Sequence, residues 1–186
     1  RVHHVSVGRG QQTVVLLHGF VQSSWTWRYN LDALAERYRV HALCLPGFGW
    51  SDKPRQVGYR LAAQAERVLA VCDALRIDCA HFVGNSLGAA LALQLALLAP
   101  SRCGRLVLVN PAGSDLGIFN LVVGIQHAAW EPLLHIPGVK YLLGIGLRHV
   151  AYTNLAHDRQ FVRDFLAPLD TPGARRAALV VAQHFG

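Results

Sequence analysis

Four largely apolar runs, at residues 13–17, 39–44, 80–84 and 105–109, recur along the first 110 residues with helix-length stretches between them. Thr13-Val14-Val15-Leu16-Leu17 has no polar face at all. A strand of that kind needs cover on both sides, which is the condition of a parallel sheet's interior. Between the runs, residues 31–38 and 61–75 repeat apolar side chains at three and four (Leu31, Leu34, Ala35, Tyr38, then Leu61, Ala65, Val68, Leu69, Cys72, Leu75). Residues 87–98 are a continuous Ala- and Leu-rich stretch. These spacings predict helices. Strands alternating with helices form parallel βαβ units, so the expected fold class is α/β, a doubly wound and mostly parallel sheet covered by helices on both faces. Ahead of the first run, residues 2–7 alternate and Gly8-Arg9-Gly10 supplies turn chemistry, which predicts a hairpin leading into the interior strand.

The rhythm changes after Pro111-Ala112-Gly113. Helical patterns at 139–150, 159–166 and 174–184 follow with no convincing strand, so the chain divides into a core at 1–113 and a helical lid at 114–186. The 52% hydrophobic and 16% charged content is the opposite of a disordered chain's balance. The net charge of +7 comes from scattered arginines with only two lysines, Lys53 and Lys140, so no basic stripe for nucleic acid emerges. Cys44, Cys72, Cys79 and Cys103 form no CxxC pair and no Cys/His cluster, which signals neither a metal site, a cofactor nor a disulfide framework. The uncharged run at 116–130 is shorter than the ~20 residues of a membrane span. No positively charged leader opens the sequence, and a cytoplasmic location is the expectation. Oligomeric state stays open.

The apolar run at 80–84 passes through Gly84-Asn85-Ser86-Leu87-Gly88 straight into the helix at 87–98. A strand that becomes a helix through one residue forces a tight turn, and the residue at its apex is strained and pushes its side chain outward. Ser86 occupies the apex. Gly84 and Gly88 flank it where a Cβ would collide as strand and helix backbones cross. Because Ser86 precedes a helix N-terminus, the N–H of Leu87 is placed to meet developing negative charge. The pattern points to a nucleophilic serine.

Four motifs occur in order: Leu16-Leu17-His18-Gly19-Phe20, the LPGFGWSDKP loop at 45–54, the GNSLG turn at 84–88 and LVLVNPAG at 106–113. Together they resemble the α/β-hydrolase superfamily, closely over residues 1–113 and in outline over the lid. The resemblance implies that Ser86 is the nucleophile and that the N–H groups of Phe20 and Leu87 form the oxyanion hole. It implies also that His18, which precedes the nucleophile, orders its loop and is not the base, since the family order is nucleophile, acid, histidine. Asn85 shapes the pocket edge.

Departures qualify what the resemblance implies. Cys44 stands where many relatives carry Asp, and a cysteine at the end of an interior strand reads as a buried hydrophobe. Serine at the apex disfavours the haloalkane dehalogenase and epoxide hydrolase branches, which attack with a carboxylate. The core matches strands two to six of the family's eight. After Ser86 the acids are Asp115, Glu131, Asp158, Asp164 and Asp170, and the histidines His127, His135, His149, His157 and His184. None sits in a recognisable strand-end loop, though Asp115 lies five residues past the end of a strand, near an alternative acid position of some relatives, so the acid and base are unknown and expected outside this chain. The expected function is a serine hydrolase that cleaves a small apolar ester, thioester or related carbonyl compound through an acyl-enzyme. A C–C bond hydrolase, an acyltransferase, a cofactor-free lyase and a non-catalytic binding protein are the alternatives. Phe119, Leu121, Val122, Val123, Trp130 and Leu133 in the lid suggest an apolar pocket for a small-molecule substrate.

Overall fold

The computed structural model describes residues 1–55, 58–112 and 159–183. Its strands are β1 (His4–Val7), β2 (Thr13–Leu17), β3 (Arg39–Leu43), β4 (Ala80–Asn85) and β5 (Cys103–Val109). The helices are α1 (Leu31–Ala35), α2 (Leu61–Ala74), α3 (Leu87–Leu98), α4 (Arg159–Leu166) and α5 (Ala174–Gln183), with short 3-10 turns at Ser24–Trp27, Pro100–Arg102 and Ala167–Asp170. One sheet runs in the order β1-β3-β2-β4-β5. All neighbours are parallel except β1 on β3.

Successive residues of a strand point to opposite faces, and from Val14 to Leu17 β2 is apolar and buried on both. Val14 and Leu16 pack with Val40, Ala42 and Trp27 on one side of the sheet, where Leu31 and Leu34 of α1 close the layer. Val15 and Leu17 point the other way, into a core with Phe82, Val68 and Leu91 from β4, α2 and α3. Ala177, Ala178 and Val181 of α5 join that second core. Both faces are therefore covered, as the apolar runs require.

Two expectations change. β1 does not form a hairpin with β2, because β3 lies between them, with His4 opposite Leu43 and Val7 opposite Val40. Residues 8–12 instead arch over the end of α1 and the start of β3. A Cβ on Gly8 (φ +76°) would lie 2.9 Å from Ala35 Cα, and one on Gly10 would lie 2.6 Å from Tyr38 Cα, so the two glycines permit a close crossing and not a tight hairpin. The helix expected at 31–38 stops at Ala35, where Arg37 and Tyr38 N–H both turn back to Leu34 O at 3.2 and 2.9 Å.

Helices α4 and α5 appear where expected. Phe161, Phe165, Leu166 and Leu169 form a cluster that packs against Val21 and Trp25 of the loop after β2. The helix expected at 139–150, the lid residues from Phe119 to Leu133, and Asp115, Glu131, Asp158 and all five histidines after Ser86 lie outside the described residues. No helix among the described residues is long and apolar enough to cross a membrane.

Candidate active site

The loops that follow β2, β4 and β5 meet at the carboxyl ends of the parallel strands, the edge at which open α/β sheets bind ligands. Backbone strain gathers there. Of the four non-glycine residues at positive φ among the described residues, three follow these strands: Val21 (60°), Ser86 (53°) and Asn110 (43°). Conformations of this kind cost about 1–3 kcal/mol each and persist only where the surroundings fix them.

For Ser86 (φ 53°, ψ −114°) those surroundings are visible. Its N–H donates to Val109 O at 2.9 Å, which locks it to the end of β5. Its carbonyl accepts from Ala89 and Ala90 in the first turn of α3 and from Ala112 at 3.1 Å in the loop beyond β5. A Cβ on Gly84 would lie 2.5 Å from Ala89 N and overlap the Gly88 carbonyl. One on Gly88 would lie 2.7 Å from His18 O. The first glycine thus lets β4 approach α3, and the second lets α3 approach the end of β2. Leu87 is the first residue of α3, where an amide has no acceptor within the helix. Ser86 itself is half-buried, because Gly19 backs onto it: a Cβ on Gly19 would lie 3.2 Å from Ser86 Cβ.

His18 is fully buried. Leu45 N–H donates to its Nε2 at 2.9 Å, so that nitrogen carries no proton, and Nδ1–H donates to Gly19 O at 2.7 Å. Burial pulls the imidazole down to about 4, against a smaller upward pull from the Gly19 hydrogen bond. With both nitrogens engaged by backbone, this neutral ring holds the loop. Phe48 packs edge-on against His18 and Phe20, with ring centroids at 5.8 and 5.7 Å. Phe20 is half-buried beside Gly19, so the three residues of interest, Phe20, Ser86 and Leu87, flank one corner of the fold.

Cys44 is fully buried at the end of β3. Its Sγ accepts from Ser24 N–H at 3.4 Å and donates to Ser24 Oγ at 3.3 Å. Among the acids after Ser86, the described ones are held locally: Asp164 accepts from Gln160 at 2.8 Å on α4, and Asp170 lies 3.5 Å from Arg175. Among the described residues no three His, Cys, Asp or Glu side chains gather as a metal site.

Two features escaped sequence reasoning. The backbone lock on Ser86 from Val109 and Ala112 has no side-chain signature. Gln22, in sequence an ordinary loop residue, is only 9% exposed, and its Oε1 accepts from Gly19 N–H at 2.8 Å and from Asn85 Nδ2 at 3.1 Å.

A family model for the alpha/beta hydrolase fold matches residues 12–178. Over 171 residues the chain is 32% identical to the 2-hydroxy-6-oxo-2,4-heptadienoate hydrolase of Pseudomonas putida, a match that covers 90% of this chain and 56% of that protein. Over 113 residues it is 44% identical to the dihydrolipoyllysine-residue acetyltransferase component of the acetoin cleaving system of Cupriavidus necator, covering 61% of this chain and 30% of that one. Among solved structures, Cfl2 of Burkholderia cenocepacia superimposes with a TM-score of 0.87 at 25% identity, over 98% of this chain and 66% of that one. The chain spans about half the length of the Pseudomonas relative and less than a third of the Cupriavidus one. The sheet order, the strained serine between β4 and α3 and the match over most of the sequence agree: the chain belongs to the α/β hydrolase fold family.

Proposed function

We propose that Ser86 is the nucleophile of a serine hydrolase that acts on a small apolar ester, thioester or related carbonyl compound in the cytoplasm. The observation that carries this reading is the backbone of Ser86, held at φ 53° between β4 and α3 by hydrogen bonds to the end of β5 and the first turn of α3. Such a turn offers a hydroxyl at a helix N-terminus, beside amides suited to an oxyanion.

In the proposed reaction Ser86 Oγ attacks the carbonyl carbon and its proton passes to a histidine base. The carbonyl oxygen becomes an oxyanion that accepts from Phe20 N–H and Leu87 N–H, each worth about 3 kcal/mol of barrier. Collapse expels the alcohol or thiol, which takes the proton from the histidine, and leaves an acyl group on Ser86. Water, deprotonated by the same histidine, then releases the acid and restores the serine. His18 cannot serve as that base, because Nε2 already accepts from Leu45 and Nδ1–H is bonded to Gly19 O. We assign the histidine and its acid to chain beyond these 186 residues, and residues 114–186 to a lid over an apolar pocket. The greater length of the relatives supports the first assignment.

The relative matched over 90% of this chain favours a second reading. The compound in its name has a ketone and no ester, so its hydrolysis breaks a carbon–carbon bond. The same serine and oxyanion donors would serve that reaction. The two readings separate when the full-length protein is given p-nitrophenyl butyrate and a 2-hydroxy-6-oxo-dienoate in parallel. Ester turnover at least tenfold faster in kcat/KM, lost in Ser86→Ala, supports the first. Dienoate turnover with the larger kcat/KM assigns the second, and no turnover of either contradicts both.

A further inference from the structure

We propose that Gln22 is a positioning residue that joins the two halves of the oxyanion site, a role that rests on the reading of Ser86 above. The loop after β2 closes as a turn in which Gln22 N–H donates to Gly19 O at 3.2 Å. Val21 stands third in that turn at φ 60°, a conformation usually left to glycine or asparagine and a strained one for a β-branched side chain. Nothing in a valine favours this geometry, so the restraint comes from elsewhere.

The side chain of Gln22 provides it. Gly19 N–H donates to Gln22 Oε1 at 2.8 Å while Gln22 N–H returns to Gly19 O, so both polar groups of Gly19 are held by one residue. His18 Nδ1–H is a second donor to Gly19 O. Because a peptide is planar, fixing the Gly19 carbonyl fixes the direction of Phe20 N–H, which lies in the same plane on the opposite side. The same Oε1 accepts from Asn85 Nδ2 at 3.1 Å and lies 3.4 Å from Thr26 Oγ1. Asn85 is the last residue of β4 and immediately precedes Ser86. One buried oxygen therefore ties the peptide that presents Phe20 N–H to the strand end that presents Ser86 and Leu87 N–H. Removing it leaves Gly19 N–H and the Asn85 amide without this acceptor and frees the strained turn to relax.

The test uses the full-length protein, the second-order rate at which a fluorophosphonate modifies Ser86, and kcat and KM for p-nitrophenyl butyrate. Gln22→Met keeps the length and removes the acceptor. Phosphonylation and kcat are expected to fall about 10- to 100-fold, the scale of an ångström-sized misplacement or a lost oxyanion donor, with KM within threefold. Asn85→Ala removes one arm of the link and is expected to give a smaller loss. In the double variant the rate should match that of Gln22→Met alone, because both substitutions cut one connection. Should Gln22→Met not fold, Asn85→Ala carries the test: a rate loss with unchanged KM supports the link, and a wild-type rate overturns it. Wild-type rates in folded Gln22→Met, or losses that multiply in the double variant, also overturn it. If the wild type is modified elsewhere than Ser86, as judged against Ser86→Ala, the reading of the nucleophile fails instead.

Discussion

Strands β2 and β5 are both parallel and both largely apolar, yet their surroundings differ. Every residue of β2 is buried, whereas Val107, Leu108 and Val109 of β5 are 51%, 36% and 40% exposed. Leu93, Leu97 and Leu98 of the adjoining α3 are exposed as well. β2 is closed on both faces, whereas β5 packs Leu106 against the core that α3 shares and leaves Val107, Leu108 and Val109 uncovered among the described residues. An apolar strand thus encodes a demand for cover without saying which segment meets it. The site spans both sides, since Ser86 is held by the end of β5 while its neighbour Gly19 is held at the end of β2.

Substitutions in the two strands should separate in proportion to their burial. Leu17→Ala in β2 should destabilise by about 2–5 kcal/mol, the range for a leucine removed from a closed core. Urea unfolding of residues 1–186 measures it, and a loss under 1 kcal/mol would mean the sealed side is loosely packed.

The end of β2 also holds a titratable group where β5 holds none. Unfolded His18 gains its proton near 6.5 and the folded ring only near 4. Between those values the unfolded state binds more protons, so stability falls as pH drops through the window, by about 3 kcal/mol in all, and His18 adds no pH dependence above it. Burial lowers His3 and His41 too, so the slope is read as the difference between wild type and His18→Gln. Parallel slopes would show that His18 is protonated in the folded protein.

Leu169 lies in the cluster that seats α4 on Val21 and Trp25. Leu169→Ala should cost about 2 kcal/mol, at the low end for leucine because the cluster is peripheral. Hydrogen exchange should quicken over 159–170 before it does in β2. At the other extreme, Val107→Ala in the 186-residue segment should stay within about 0.5 kcal/mol, as exposed positions do. A cost near that of Leu17→Ala would place β5 in a covered core.

Much of this fold was legible because period and context agree. The runs at 13–17 and 80–84 and the stretch at 87–98 became β2, β4 and α3 with bounds shifted by no more than one residue. The clashes at Gly84 and Gly88 follow from the pentapeptide itself. The position of β1 was not legible, since Gly8 and Gly10 read equally as a hairpin turn or as a close crossing, and only the packing of Ala35 and Tyr38 decides. Gln22 was missed for a similar reason. Its partners Gly19 and Asn85 are 3 and 63 residues away, and no local pattern announces the second bond.

In the proposed reaction the strained residue between β4 and α3 does the chemistry. Treating the full-length protein with a fluorophosphonate and mapping the modified peptide by mass spectrometry tests it most directly. A single stoichiometric adduct on Ser86, absent in Ser86→Ala, is the expected result. An adduct elsewhere, or equal modification of the Ser86→Ala variant, would contradict it.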